Sequence, residues 1–313
     1  MLKWEGPFLS HHEEKRWRES PRRAGLNKLS CWLPVAWSCP ISRHARHFSL
    51  PRNYYRFAGY ARYFQKAPQY GDDNFRTGTT FEQIRAIYDA DHALRNAISS
   101  QLTRAELLLR SHTARAVVDV SGPYERYLEA DFYSDSAGAE STVESCLRDI
   151  KRSKERHILR FGGAEEDLRR ELPVWSAVEA WSFGTLSKCI ERGDLGALAG
   201  PIANSLGVAH AGFASRVRAL VYLRNRCAHH SRLWHHSVID AGPTPNNVRT
   251  KAKRLAGNFD PRSVLDVVAS LDDIVSRGSG GTPVLPVLIA ERSADGAFWD
   301  GLRAPVSPKD HRA

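Results

Sequence analysis

The chain has 313 residues, of which 45 are lysine or arginine and 35 are aspartate or glutamate, for a formal net charge of +10. This length is enough for one large or two modest domains, and the positive charge favours nucleic acid over a membrane as the partner. No apolar run approaches the roughly 20 residues of a membrane span, and Glu13 and Glu14 interrupt the start. We therefore expect a protein with neither a membrane span nor a signal peptide.

Five cysteines are scattered along the chain, and none of them forms a Cys-x-x-Cys pair. An odd number without close pairs predicts free thiols and a reducing, cytoplasmic location. Cys31, Cys39, His44 and His47 have the residue types of a zinc site, but the seven-residue gap between the two cysteines differs from the tight pairs of structural sites. We therefore predict no metal and no other cofactor.

Residues 1–48 contain four tryptophans among proline, arginine and histidine, with no steady hydrophobic period. We interpret this range as an irregular segment that is disordered, divergent or translated from an incorrect start or frame. Residues 54–63 then alternate aromatic side chains with Arg56 and Arg62. Core packing of a short helix is the simpler interpretation, and an RNA-stacking surface is the alternative.

A long helix is predicted after the loop at residues 68–78, because Thr79 and Glu82 have the spacing of a capping box. Apolar residues recur at helical steps over residues 84–102, and we expect the helix to continue through Leu109 with a break or bend.

Charged residues along the predicted helices are expected to have mainly structural roles. Asp91 and Arg95, and likewise Glu106 and Arg110, are four residues apart, which favours ion pairs that support one helix or join two. Residues 144–160 are predicted to form a strongly charged helix. A solvated face is its simpler interpretation, and contact with an RNA backbone is the alternative.

The remaining pattern predicts an all-α fold in three parts. Pro173 suits the first turn of a helix that continues through Ile190, and Asp260 with Pro261 is expected to cap a later helix. A Gly/Ser linker then precedes residues 284–290, which read as a short strand or a packed tail. The expected parts are an irregular N-terminal segment at 1–48, a helical domain at 49–276, and a linker with a C-terminal tail at 277–313.

The densest group of reactive side chains lies in residues 220–234, which read Leu-Val-Tyr-Leu-Arg-Asn-Arg-Cys-Ala-His-His-Ser-Arg-Leu-Trp. Apolar residues recur at three- and four-residue steps over 213–227, and no glycine or proline occurs before residue 234, so one helix is predicted through this stretch. Asn225 and His229 are four residues apart and project from one face. The long side chain of Arg224 can reach the same site.

These residue types suit the cleavage of an RNA phosphodiester without a metal. Histidine titrates near neutral pH, so His229 is a candidate general base or acid. Arg224 is permanently charged and can hold phosphate oxygens, while Asn225 can orient either group. His230 and Arg232 are second choices for a proton relay and for phosphate binding. Because three fixed residues arise easily by chance, an exposed basic helix end is the alternative.

Four blocks of the sequence resemble the Abi-like proteins of bacterial abortive infection, which belong to the HEPN superfamily. RNases of that superfamily carry Arg-x(4–6)-His on their last core helix, as Arg224 and His229 do here. The other blocks include Asn-Tyr-Tyr-Arg-Phe-Ala-Gly-Tyr and Pro-Val-Trp, the latter followed by Glu179 and Phe-Gly-Thr-Leu-Ser. The four blocks, in the order of the family, are residues 53–60, 81–95, 173–187 and 223–234.

The resemblance implies a HEPN-like helical bundle with additional N-terminal helices, a homodimer with a composite active site, and RNA as the substrate. The activity implied is an endoribonuclease of antiviral defence that acts as a toxin. Within this framework Glu179 is expected to orient Arg224 or a histidine across the bundle, or else to form a structural salt bridge.

Two other hypotheses remain at this point. One is a non-catalytic RNA-binding or regulatory HEPN module, with an antitoxin RNA or a protein as its partner. The other is a structural helical bundle whose motif stabilises the dimer. No Walker A loop, Gly-x-Gly-x-x-Gly, Gly-x-Ser-x-Gly or His-Glu-x-x-His motif occurs, so nucleotide, hydrolase and metalloprotease functions lack support.

Overall fold

The computed structural model describes residues 54–161, 165–239, 242–292 and 295–307. The chain is mainly helical over these ranges, so the predicted all-α fold is confirmed. The predicted irregular segment 1–48, with its candidate zinc ligands, lies outside the described residues. The elements are α1 (Tyr54–Ala61), β1 (Gln65–Ala67), β2 (Asp72–Phe75), α2 (Phe81–Ser121), α3 (Thr142–Arg152), α4 (Arg156–Leu159), α5 (Glu165–Glu171), α6 (Val174–Ala180), α7 (Phe183–Arg192), α8 (Ala199–Ser205), α9 (Phe213–Ala228), α10 (Asn246–Ala256), α11 (Val264–Ser279), α12 (Val284–Arg292) and α13 (Gly296–Arg303).

Helix α2 is the central element, and its 41 residues make it about 60 Å long. The predicted break near Leu109 is wrong, because buried residues continue at helical spacing as far as Val117. The helix ends at Ser121, and Gly122 is its C-cap. Helices α6, α7, α9 and α11 all pack against α2, so the core surrounds it.

A capping box begins α2, one residue later than the predicted pair Thr79 and Glu82. Thr80 Oγ1 accepts a hydrogen bond from Gln83 N at 3.2 Å, and Gln83 Oε1 accepts one from Thr80 N at 3.0 Å. Glutamine satisfies the N-cap amide as glutamate would, so the capping function is the one predicted but the register differs.

Two predicted helices are each divided in the structure. The charged stretch at 144–160 forms α3 and α4, and the stretch from Pro173 to Ile190 forms α6 and α7. Ser182 is the N-cap of α7, since its side chain accepts from Thr185 N at 3.2 Å. The buried Asp149 on α3 accepts from Ser182 N at 2.8 Å, so competing side-chain bonds start a new helix at this position.

Arg216 fixes α9 to α11 from inside the core. Its Nε donates to Ser270 Oγ at 2.8 Å, and its Nη2 lies 2.7 Å from Asp273 Oδ2. The Arg216 side chain is fully buried, and such a charge is tolerated only when it is paired and hydrogen-bonded. This ion pair sets the position of the helix that carries the motif residues.

The region predicted as a linker and tail contains two helices, α12 and α13. Asp272 on α11 accepts from Val284 N and Leu285 N, both at 2.8 Å, and so caps α12. Leu288 and Trp299 are buried against the core. Residues 284–290 are therefore a packed helix rather than a strand.

A small hairpin replaces part of the predicted loop at 68–78. Strands β1 and β2 are antiparallel, with Gln65 opposite Phe75 and Ala67 opposite Asp72. Gly71 lies in the turn between them with a φ of +83°, a conformation that glycine adopts without strain. The hairpin connects α1 to the start of α2.

Candidate active site at the end of helix α9

Helix α9 carries the motif residues but ends at Ala228, six residues before the predicted end at Trp234. His229 is its C-cap, and His230 has a φ of +53°, in the left-handed region. Glycine is the residue most common at that position of a helix end. The prediction of a single helix through residue 234 is therefore wrong, because a histidine occupies the position where glycine usually signals the stop.

The end of α9 has the hydrogen bonds of a Schellman motif. His230 N donates to Cys227 O at 3.0 Å, and Ser231 N donates to Arg226 O at 2.8 Å. These bonds satisfy carbonyl groups that the last turn of a helix leaves without partners. The chain consequently leaves the helix axis after His230, with His229 at the exposed tip.

Segment 230–234 is held through its main chain by side chains of other elements. These anchors come from α1, α2 and α9, so they do not depend on the exposed side chain at position 230. The contacts are Arg56 Nη1 to His230 O at 3.2 Å, Arg95 Nη1 to Ser231 O at 3.4 Å, Arg226 Nη2 to Arg232 O, Leu233 N to Asp91 Oδ2 at 3.2 Å, and Trp234 N to Asp91 Oδ1 at 3.0 Å.

Asp91 is the centre of this anchoring network, and its side chain is fully buried. It forms an ion pair with Arg95 and also accepts a hydrogen bond from Tyr60 OH. The i,i+4 pair predicted from the sequence is thus part of a larger set of bonds between helices. Residues from three of the four family-like blocks meet here: Tyr60, Asp91 and Trp234.

Trp234 packs in an aromatic group beneath the turn. Its ring is nearly parallel to that of Tyr60, with centroids 6.2 Å apart, and lies 4.9 Å from that of Tyr63. Trp234 Nε1 donates to Ala297 O at 3.1 Å, which connects the turn to α13. The C-terminal helices therefore support the candidate site from behind.

The Arg224 guanidinium is held at two of its nitrogen atoms and on one face of its plane. Its Nη1 donates to Asn225 Oδ1 at 3.0 Å, its Nε lies 3.5 Å from Glu106 Oε2, and its Cζ lies 5.5 Å from the ring centroid of Phe183. Its side chain is 34% exposed. Nη2 of Arg224 has no partner among the described residues, so donors of this partly exposed guanidinium remain for the oxygens of a phosphate.

Glu106 is itself held in place by Arg110. Glu106 Oε1 accepts from Arg110 Nη2 at 2.5 Å, and Arg110 in turn donates to Trp181 O at 2.8 Å and to Val178 O. The Glu106 carboxylate therefore joins a buried arginine to Arg224. The sequence predicted the Glu106–Arg110 pair but not its contact with the motif, because that contact depends on how α2 packs against α9.

Among the described residues of the single chain, Glu179 contacts neither Arg224 nor a histidine. It is exposed on α6, and within the described part of the chain no hydrogen bond or ion pair joins it to Arg224 or to a histidine. At this point Arg110 on α2 donates to main-chain carbonyls, those of Val178 and Trp181, and not to the Glu179 carboxylate. The carboxylate beside Arg224 belongs to Glu106.

The structure brings Arg224 and Asn225 into contact but leaves His229 apart. Five residues along a helix correspond to about 7.5 Å of rise and about 140° of rotation. His229 and His230 are both exposed, and their side chains form no hydrogen bonds with the described residues. One chain therefore does not place the His229 imidazole beside the Arg224 guanidinium.

Arg232 lies on the other side of the turn, against α1. Its Nη1 donates to Gly59 O at 2.5 Å, and its Cζ lies 4.6 Å from the ring centroid of Tyr63. Arg232 is partly exposed. It is consequently separate from the Arg224 site, although both arginines border the end of α9.

The described residues include three free thiols, those of Cys146, Cys189 and Cys227. Over the same residues, no three histidine, cysteine, aspartate or glutamate side chains cluster as metal ligands would. None of the described helices has both the length and the apolar character needed to cross a bilayer.

The fold and the site define an all-helical protein with a basic, imidazole-bearing motif at the exposed end of a core helix. Residues 51–235 match the model of the Abi-like protein family, a range that includes all four of the blocks noted in the sequence. The chain therefore belongs to the Abi-like protein family, and this membership points to abortive-infection defence. Neither curated proteins nor solved structures give a match to the chain.

Proposed function

We propose that this chain is a metal-independent endoribonuclease of abortive-infection defence, with Arg224, Asn225 and His229 as its catalytic residues. The observation that carries the proposal is the orientation of Arg224. Asn225 contacts Nη1 and Glu106 contacts Nε of its guanidinium, which leaves Nη2 to donate to a phosphate. The net charge of +10 supports a polyanionic substrate.

The reaction proposed is an attack by the ribose 2'-hydroxyl on the adjacent phosphorus. His229 takes the proton from that hydroxyl, and a bond forms between O2' and phosphorus. Arg224 stabilises the negative charge that grows on the phosphoryl oxygens. The bond from phosphorus to O5' then breaks as a second imidazole donates a proton to O5'. The products are a 2',3'-cyclic phosphate and a 5'-hydroxyl.

We propose that two copies of α9 complete this site across a two-fold axis. Asn225, Ala228 and His229 are exposed on one side of α9, as an interface helix requires. One chain directs Arg224 and His229 about 140° apart, so a second copy supplies the missing neighbour. One imidazole then serves as the base and the other as the acid. The resemblance to HEPN RNases supports this homodimer.

A cleavage assay tests the proposed function. Purified full-length protein is incubated with labelled single-stranded RNA in EDTA, and wild type is compared with His229→Ala and Arg224→Ala. We expect cleavage that leaves 2',3'-cyclic phosphate ends and that both substitutions abolish. Arg218→Ala is the matched control, because Arg218 is on the same helix and pairs with Glu191 at 2.7 Å.

The other outcomes separate the competing functions. Cleavage that survives His229→Ala, or an inactive wild type, would overturn the nuclease proposal. RNA binding without cleavage would favour the non-catalytic RNA-binding or regulatory module with an antitoxin partner. Neither binding nor cleavage, with loss of the dimer on substitution, would favour a structural role.

A further inference from the structure

A second basic cluster lies beside the candidate active site; it consists of Tyr222, Arg226, Arg232 and His236. The rings of Tyr222 and His236 are stacked, with centroids 5.7 Å apart and planes 8° apart, and Tyr222 OH lies 2.8 Å from His236 Nε2. Arg226 Cζ lies 5.9 Å from the Tyr222 ring centroid, and Arg226 Nη2 donates to Arg232 O. These contacts join the last turns of α9 to the segment that follows it.

The two guanidinium groups of this cluster have no acidic partner among the described residues. Their contacts are main-chain carbonyls and aromatic rings. In addition, Arg226 Nε is buried without an acceptor. Arg218 on the same helix, in contrast, has an acidic partner, because it pairs with Glu191. Partly buried positive charge without a counter-charge is unfavourable, and an anionic ligand would offset it.

The imidazole of His236 adds a neutral donor to the cluster. Burial, and then the charges of Arg226 and Arg232, lower the pKa of His236 to about 4, so its ring is uncharged at neutral pH. In the tautomer in which Tyr222 OH donates to Nε2, this neutral ring carries its proton on Nδ1. The cluster thus presents guanidinium and N–H donors, which match the oxygens of a phosphate.

The cluster lies beside α9, partly buried and close to the exposed His229. Arg226 and His229 are three residues apart, and side chains at this spacing are neighbours on a helix surface. Tyr222 and His229 are two turns apart on the same face. A single extended strand of RNA can therefore pass from one group to the other.

We infer that Tyr222, Arg226, Arg232 and His236 form a second phosphate subsite, which binds a backbone phosphate next to the scissile one. The inference rests on the proposed function, because the scissile phosphate lies at Arg224 and His229. In this subsite Arg226 and Arg232 contact the phosphate oxygens, and the His236 imidazole donates to the same group. The ligand class is the backbone of single-stranded RNA.

The subsite is tested with a fully 2'-O-methylated RNA oligonucleotide, which binds but cannot be cleaved by attack of a 2'-hydroxyl. Fluorescence anisotropy gives the affinity at several salt concentrations for wild type, Arg226→Gln and His236→Gln. We expect Arg226→Gln to weaken binding about tenfold, as loss of a charge-assisted hydrogen bond does. Loss of one phosphate contact should also reduce the slope of log K against log salt by about 0.7.

Two further variants keep the result interpretable. Arg218→Gln removes a paired arginine from the same helix, and we expect it to leave both the affinity and the salt slope unchanged. Arg226→Lys keeps the charge, so its slope should match wild type even if packing on Tyr222 is weakened. Because His236 is uncharged at neutral pH, His236→Gln is judged by its affinity and should leave the salt slope unchanged. Thermal unfolding of each variant shows whether the fold is retained, and Arg232→Gln, which also removes a charge of the subsite, replaces Arg226→Gln if the latter does not fold.

Cleavage of unmodified RNA is measured in parallel, so that the two proposals fail separately. A wild-type affinity and salt slope in Arg226→Gln, with cleavage by wild type, overturns the subsite alone. A reduced slope without any cleavage overturns the nuclease and keeps the subsite. A wild type that does not bind the oligonucleotide overturns the subsite.

Discussion

Glu106 and Arg224 form an ion pair that joins the central helix α2 to the candidate site, with 3.5 Å between Glu106 Oε2 and Arg224 Nε. The other oxygen of the same carboxylate accepts from Arg110, which is held by two main-chain carbonyls. The orientation of Arg224 is thus set by a chain of contacts that begins in the core.

Replacing Glu106 with glutamine is expected to reduce RNA cleavage about fivefold. The neutral amide keeps the shape of the side chain but loses the charge-assisted contact with Arg224, and the difference between such bonds is about 1 kcal/mol. The kcat/KM for a labelled RNA measures the effect.

Two controls separate the orientation of Arg224 from stability of the fold. Asp119→Asn alters a carboxylate of α2 that pairs with Arg115 at 3.6 Å on the exposed surface, and we expect no change in cleavage. In an Arg224→Ala background, Glu106→Gln should cause no further loss of any residual activity. A further loss there would assign Glu106 a structural role.

His230→Gly should preserve both the fold and RNA cleavage. His230 has a φ of +53°, and a left-handed conformation costs a residue other than glycine about 1 kcal/mol or more. We expect the melting temperature to be unchanged or slightly raised, and cleavage to stay within about threefold of wild type. His229→Ala should abolish cleavage in the same assay. The reverse pattern would make His230 the catalytic histidine.

Asp91→Asn is expected to destabilise the protein by about 3 kcal/mol, because removing one member of a buried ion pair leaves the other charge unpaired. The new amide would also present a donor to the main-chain N–H groups of Leu233 and Trp234. Urea unfolding measures the loss. Asp89→Asn on the same helix is the control, since Asp89 pairs with Arg85 at the exposed surface and should contribute less than about 1 kcal/mol.

Protonation of His236 should lower the stability of the protein at acidic pH. Burial, and then the charges of Arg226 and Arg232, lower its pKa from 6.5 to about 4. Between these values the unfolded chain binds the proton more readily than the native protein does, so stability falls as the pH drops from about 6.5 toward 4. Melting temperatures across this range should fall less steeply for His236→Gln. Equal pH dependence in both proteins would contradict the assignment.

The helical class and the motif were predictable because they depend on local patterns. Apolar spacing identified α2 and α9, and the capping residues placed the start of α2 to within one residue. The end of α9 was not predicted, because the residue that adopts the left-handed conformation there is His230 and not a glycine. Residues 284–290 left a strand open as one alternative, but they form α12, and Pro286 lies in its first turn, where a proline does not remove a needed hydrogen bond.

Local sequence patterns do not predict contacts between residues that are far apart in the chain. Glu106 and Arg110 were recognisable as a pair, whereas the contact between Glu106 and Arg224 requires the packing of α2 against α9. Glu179 was chosen because it lies in a family-like block, but its helix directs it to solvent. The cluster around Arg226 and His236 likewise forms only because the chain turns back after α9.

The anchors of segment 230–234 contact main-chain atoms, so these contacts do not depend on the identity of the side chain at position 230. The exposed side chain at position 230 is therefore open to replacement while the backbone of the turn keeps its path. Under the proposed nuclease function, a library of variants at that position would sample new preferences for RNA sequence on an unchanged scaffold.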